Sequence, residues 1–335
     1  MILAIETSCD DTCAAVVTAE GEIRANVISS QEVHSRFGGV VPEIASRQHL
    51  TLLPAVVDRA LADAHMTLDD IDAVAATRGP GLVASLLVGF SAAKAIAAAR
   101  RLPFIPVNHL AGHLAASRLA PDPFDPPYLG MVVSGGHTLL VDVRGPGAEL
   151  RLLGSTLDDA AGEAFDKGAR LLGLGYPGGA ALERLARDGD PEAFELPTAA
   201  RVPGLDFSFA GVKTALLYKV RELGEVETDR RRADLAASFQ HAIVEALMIR
   251  LRRAVKERRV RRLAVGGGVA ANGALRTELA GLDVELDLPP RELCTDNAAM
   301  IASAARFSCS LEYPEYLGLD VFATWDRRAD DVVPL

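Results

Sequence analysis

Aromatic residues make up only 5% of this 335-residue chain, with a single tryptophan. Cysteines are few: Cys9, Cys13, Cys294 and Cys309 lack the spacing of a zinc ribbon, so free thiols in a cytoplasmic protein are expected. No apolar run is expected to be long enough, and free enough of polar residues, to span a membrane. Residues 1–20 have no basic stretch, and Glu6, Asp10 and Asp11 come early, so no secretory signal is expected. The pattern G-x-x-x-x-G-K-[ST] is missing, which disfavours a Walker-type NTPase. So is G-x-G-x-x-G after the first strand, which disfavours a dinucleotide enzyme. Positive charge is not in excess either: the formal net charge is −10, against a protein coated in nucleic acid. A local basic surface is still allowed. Arg250 to Arg262 holds eight basic residues and one acid, Glu257. It reads as a solvated helix end or as a sequence-blind contact to phosphates.

What is present is small and apolar. Hydrophobic residues reach 49%, enough to bury a sizeable core, and the abundance of Ala, Leu, Val and Gly suits tightly packed α/β layers. Strands are expected at 2–5, 13–18 and 22–29, then a helix over 40–64, a strand at 71–76, an Ala-rich helix over 85–100 and a strand at 104–107. Asp10 and Asp11 are expected to end the first strand. Four prolines between Pro121 and Pro127 mark a boundary, giving domains 1–120 and 121–335, with the last helix packing back on the first domain. The order then partly restarts: strands at 128–133, 138–143 and 150–153, helices over 162–172, 180–187 and 234–259, strands at 263–265 and 284–288, and helices from 272 and 296. Residues 197–211 read as irregular. Each half thus opens with antiparallel strands and continues as strand, Gly-rich loop, helix, strand, helix.

His109 and His113 stand four apart at the start of the helix that closes the first half, on one helical face. Asp296 opens the matching helix of the second half. Facing across a cleft, two imidazoles and a carboxylate suit iron or zinc and leave positions open for water or substrate. A ligating histidine would also need a partner for its other nitrogen. The plainer reading is a capped helix with two surface histidines, and for Asp296 a helix N-cap. Four Gly-rich loops, at 79–81, 134–137, 177–179 and 266–268, could cradle phosphate through backbone N–H groups. Of the acids, Asp10 and Asp166 read as functional, Asp158 and Asp159 as structural.

Several motifs carry a resemblance: Ile5-Glu6-Thr7-Ser8-Cys9-Asp10, Gly38-Gly39-Val40-Val41-Pro42-Glu43, Gly79-Pro80-Gly81-Leu82, and Asn108-His109 with His113. To these add Ser134-Gly135-Gly136-His137-Thr138, the run Asp158 to Lys167, Tyr176-Pro177-Gly178-Gly179, Ser208 to Thr214, Gly266-Gly267-Gly268-Val269 with Asn272, and Cys294-Thr295-Asp296-Asn297. Together they resemble the universal tRNA threonylcarbamoyladenosine transferase family in its bacterial form, over about residues 2–322. Asp11 stands where that family usually has Glu, and Cys13 and Ala84 where it commonly has Gly.

The resemblance implies an α/β, actin-like and sugar-kinase-like ATPase fold: two RNase-H-like domains around a nucleotide cleft. It implies one divalent metal, Fe2+ before Zn2+, held at His109, His113 and Asp296. It implies a threonylcarbamoyl-adenylate lying against Val132, Val133, Ser134, Gly135, Gly136 and His137, with Asp166, Gly179, Glu183 and Asn272 also in contact. The group would pass to N6 of adenosine 37 of tRNAs reading codons that start with A, and AMP would leave. The implied partners are tRNA, an inert paralogous subunit and a small P-loop ATPase, with no membrane. Asp10 is the candidate base, with Asp11 and His137 as rivals. A metalloprotease is the rival class, once the label of this family, but Leu110 sits where H-E-x-x-H needs its glutamate. A non-catalytic nucleotide-binding subunit should lack the ligands and Gly loops, and a small-molecule kinase on the same fold leaves the two histidines unexplained.

Overall fold

The structure, a computed structural model, describes residues 1–145, 150–325 and the backbone of 332–333. The first domain runs β1 (Ile2–Glu6), β2 (Asp11–Val17), β3 (Ile23–Ser30), α1 (Pro42–Asp63), β4 (Ala73–Gly79), α2 (Val83–Arg100), β5 (Phe104–Asn108) and α3 (His109–Ala115). The second runs β6 (Tyr128–Val133), β7 (Thr138–Val143), β8 (Leu150–Ser155), α4 (Ala161–Leu171), α5 (Gly179–Ala186), α6 (Ala210–Arg230), α7 (Arg232–Arg258), β9 (Arg262–Gly266), α8 (Gly273–Ala280), β10 (Glu285–Asp287), α9 (Arg291–Cys294) and α10 (Ala298–Ala305), with β11 (Val332–Val333) at the edge.

The two sheets have one plan. The first is ordered β3-β2-β1-β4-β5; the second, taken from β8, is β8-β7-β6-β9-β10. In each, the first three strands are antiparallel and the last two join in parallel through helical crossovers. This is the doubled RNase-H-like, actin-like arrangement. The closing helices cross over. Leu110, Ala111 and Leu114 of α3 pack with Val132, Val141 and Val143 of the second sheet. α10 packs with Ala4, Ala15 and Val17 of the first. The two helices meet at Gly112, where a Cβ would lie 2.8 Å from Ile301 Cδ1. Glycine there lets the cleft's two walls come together.

Several expectations need correction. β1 stops at Glu6, so Asp10 lies in the following loop and Asp11 opens β2. α6 was not anticipated; Gly224 at φ 73° breaks its helical geometry. Asp296 lies just outside α10, because the Asn297 side chain is the cap, accepting from the Met300 N–H at 2.9 Å. By length and composition α2 could cross a membrane, with a mean hydropathy of 1.4. The expectation of no such run therefore fails on length and composition. Leu86, Phe90, Ala93 and Ala97 form the face that packs in the core, while Val83, Leu87 and several alanines carry apolar character onto the outer face.

Candidate metal centre and nucleotide cleft

The Asn108 side chain caps α3 by accepting from the N–H groups of Leu110, at 2.9 Å, and Ala111. Such a cap stabilises a helix by about 1 kcal/mol. It matters here because α3 is short and both histidines depend on it. Neither is a surface group: His109 is 5% and His113 1% exposed. The Asn297 amide also donates to the Thr295 carbonyl at 2.8 Å, which fixes the backbone on either side of Asp296. The ligand atoms of His109, His113 and Asp296 all lie within 4.8 Å of one another.

A cation fits this donor set. Asp296 Oδ1 is 3.5 Å from His109 Nε2 and 3.3 Å from His113 Nε2. The His113 contact lacks hydrogen-bond alignment, and among the described residues neither buried ring nitrogen of His113 has a hydrogen-bond partner. Orphaned buried nitrogens are costly unless something binds them. His109 has the anchored geometry of a ligand. Its Nδ1–H donates to Glu6 Oε2 at 2.9 Å, with Ser8 Oγ at 3.2 Å. Glu6 is held in turn by the Thr77 hydroxyl at 2.6 Å and the Ser8 N–H. This fixes the His109 tautomer and turns Nε2 towards Asp296.

The electrostatics agree. Burial would lower His109, but the carboxylates of Asp296 and Glu6 outweigh it and hold it up to about 9. Burial lowers His113. Burial would raise both carboxyls, yet His109 holds Glu6, and His109 with His113 holds Asp296, below the ordinary carboxylate range. Glu6 was not picked out as a site residue from the sequence. The available signal was an acid as the last residue of an otherwise apolar strand. We predict that Glu6→Gln weakens metal binding by about 10- to 100-fold, since the anchor of one ligand is lost. Competition with a chelating dye measures it, and unchanged affinity would make Glu6 a packing residue only.

The centre sits in a cavity of about 680 Å³ between the domains. Asp10, Asp11 and Gly81 line it from the first domain, and Gly135, Gly136, His137, Asp166 and Tyr176 from the second. The 134–137 loop is a tight hairpin turn: Ser134 N–H donates to the His137 carbonyl at 2.8 Å, and His137 N–H to Ser134 Oγ at 3.2 Å. Those two amides are therefore spent. Among the described residues, the Gly135 and Gly136 N–H groups make no hydrogen bond, and a Cβ on either would meet open space. Backbone packs close beneath the loop. A Cβ on Gly162 would come 2.6 Å from the Ser134 carbonyl oxygen, and one on Gly267, at φ +97°, 2.4 Å from that of Val133.

Other candidates are placed differently. The Val132 and Val133 side chains are wholly buried, so they carry the loop rather than face the cleft. Asp166 Oδ1 accepts from the N–H groups of Gly178, at 2.8 Å, and Gly179, at 3.1 Å, and so shapes the start of α5. Asn272 caps α8 through Leu275 N–H and donates to Gln240 at 2.8 Å, which occupies its amide. Glu183 accepts from the Gly273 N–H at 3.1 Å. Asp158 caps α6 through the N–H groups of Phe209 and Ala210, and Asp159 pairs with Lys167 and Lys213. Asp11 is pushed up to about 7, chiefly by burial and then by Asp296, Asp10 and Glu6, against a Ser30 hydrogen bond. His137 is pushed down to about 4 by burial and by His109 and His113. The basic run lies elsewhere. Arg250 is buried on the carbonyls of residues 199, 202 and 206, and Arg252, Arg253 and Arg262 are paired with glutamates. Arg262 starts β9, at the end of that strand remote from the cleft, which adjoins Gly266.

The profile of the family described as tRNA N6-adenosine threonylcarbamoyltransferase matches residues 22–303. The chain is 54% identical over 312 residues to the protein of that name from Symbiobacterium thermophilum, covering 92% of this chain and 91% of the relative. It is 50% identical over 340 residues to the one from Moorella thermoacetica, covering 100% and 97%. Among solved structures it is similar to component A of (R)-2-hydroxyglutaryl-CoA dehydratase from Acidaminococcus fermentans, with a TM-score of 0.54, 14% identity and coverage of 91% and 96%. It is also similar to HypF of T. kodakarensis, with a TM-score of 0.58, 14% identity and coverage of 91% and 47%. At such identities these structures speak for the fold alone. The chain belongs to the tRNA N6-adenosine threonylcarbamoyltransferase family.

Proposed function

We propose that this chain transfers the threonylcarbamoyl group of threonylcarbamoyl-adenylate to N6 of adenosine 37 in tRNAs reading codons that start with A. The observation that carries the reading is the His109–His113–Asp296 cluster, whose His109 and Asp296 line a cleft of nucleotide size, in a chain of this family. A peptidase reading fails at Leu110, because no general base follows the first histidine.

The N6 lone pair attacks the carbamoyl carbonyl carbon of the mixed anhydride. The bond to the phosphate oxygen breaks, AMP leaves, and the amine proton passes to a base. The donor is activated, so no side-chain nucleophile is needed. His109, His113 and Asp296 would hold the divalent ion, Fe2+ before Zn2+; when bound, it supplies positive charge beside the donor's oxygens. Gly135 and Gly136 line the cleft, and their N–H groups, without a hydrogen bond among the described residues, suit the departing phosphate. Adenine's exocyclic amine is a weak nucleophile, so positioning and proton removal both count. Asp11 is the better base than His137, since its carboxyl titrates at about 7 and the imidazole at about 4. Asp10 lies beside it in the cleft wall. The working assembly includes the inert paralogous subunit and the small P-loop ATPase, and the reaction belongs in the cytoplasm, where tRNA is.

Incubation with those partners, the adenylate and unmodified tRNA should yield AMP and one modified adenosine per tRNA, read by nucleoside mass spectrometry. Absence of the modified nucleoside from the complete mixture would overturn the reading.

A further inference from the structure

We propose that the mouth of the cleft is where the single-stranded loop of the RNA docks, with Phe37 stacking a base and Arg36 and Arg170 holding the flanking phosphates. This rests on the tRNA reading above and assigns it a surface. Phe37 is a large aromatic left 57% exposed at the end of a 3-10 turn, Glu32–Phe37. The next residues, Gly38 to Val40, line the cleft. Arg170, in α4 of the other domain, lines it too, and a Cβ on Gly38 would lie 3.8 Å from Arg170 Cδ. The two domains therefore approach at this point, with Arg36 two residues before Gly38 on one side and Arg170 on the other.

Both arginines are exposed, and among the described residues neither side chain has a hydrogen bond or ion pair. That separates them from Lys167, which is spent on Asp159 and Glu163, and from much of the basic run, which is spent on glutamates and carbonyls. Charge inside the cleft has the opposite sign, from Asp10, Asp11 and Asp166. On the transferase reading the donor's phosphate sits apart from these acids, at the Gly135–Gly136 loop; the RNA backbone is repelled by them, whereas an adenine base is uncharged and can enter. The backbone must then stay at the rim, where the unpaired guanidiniums are. An exposed aromatic beside cations is how proteins hold unstacked bases. With a net charge of −10, the protein has little general attraction for RNA, so a few local contacts carry the affinity.

The test uses the assembled complex and an unmodified anticodon stem-loop RNA. The dissociation constant is measured against salt for wild type, Arg36→Ala, Arg170→Ala, Phe37→Ala and Phe37→Trp, and for the double variant Arg258→Ala/Arg259→Ala. Phe37→Ala should raise Kd about tenfold, and Phe37→Trp should restore binding, because stacking is what is lost. Each arginine variant should lower the slope of log K against log salt by about 0.7, one phosphate contact on a single strand. KM for RNA should rise while KM for the adenylate holds. Wild-type affinity and slope in all three mouth alanine variants, or loss confined to the Arg258/Arg259 pair, would overturn the proposal while leaving the transferase reading intact. A wild-type complex that neither binds nor modifies the RNA would overturn both.

Discussion

Asp296→Ala is expected to abolish both metal uptake and transfer, with losses beyond the roughly 100-fold typical of removing a partner that only orients a ligand. The reason is that Asp296 serves both histidines. Its Oδ1 lies within 3.5 Å of each Nε2, and no other carboxylate joins them in the cluster among the described residues. Its removal leaves two buried imidazoles and one negative charge fewer to attract a cation. The variant also has a readout that does not depend on turnover. Asp296 is the foremost group holding His109 up to about 9, so the His109 titration followed by NMR in the metal-free protein should move down. Metal binding should displace the His109 proton, so in wild type affinity should climb with pH towards 9 and level off above it. Calorimetry at pH 7 and pH 9 in two buffers of different ionisation heat would show the released proton. Full transfer by a metal-free Asp296→Ala protein would sink the shared site.

Much of this centre was legible because two regularities reach the sequence. The 3.6-residue period puts His109 and His113 on one face, and the repeated order of elements points to the position of Asp296. The doubled sheet topology follows from the same order. What stayed hidden were side chains whose type fits two jobs. Asp166, Glu183 and Asn272 are polar residues a nucleotide site would use, and they also bind backbone N–H groups at the starts of α5 and α8, with Asp166 still lining the cleft. A carboxylate that shapes a loop and one that touches a ligand look alike until the loop is seen. Glu6 was hidden for the converse reason: an acid ending an apolar strand looks like the beginning of a loop, and only the fold brings it 2.9 Å from a histidine 103 residues away. α6 escaped because no clean apolar stripe runs along it and few of its side chains are buried.

Asp11→Asn is expected to slow transfer by about 10²- to 10⁴-fold, the usual contribution of a general base, and to change the pH dependence of what remains. Asp11 is raised to about 7 mainly by burial and then by three neighbouring carboxylates, so at neutral pH it is poised between its two forms. The basic form reacts; the wild-type rate should rise with pH through about 7 and flatten above it, and the asparagine variant should lose that limb. A bound cation would draw the limb lower, so a metal-dependent midpoint is part of the expectation. Stability supplies a second, independent signature. An acid whose folded pKa lies above its unfolded value near 3.8 makes the native state less stable as pH rises from about 4 to 7, because the unfolded chain gives up its proton first. Asp11→Asn escapes that penalty. It should melt at a higher temperature than wild type above pH 7 and at the same temperature below pH 4. Asp11→Glu keeps a carboxyl and matches the residue usual in the family, so it should retain both the transfer and the pH limb. An asparagine variant with the wild-type pH profile would move the base to Asp10, the other carboxylate on that wall of the cleft.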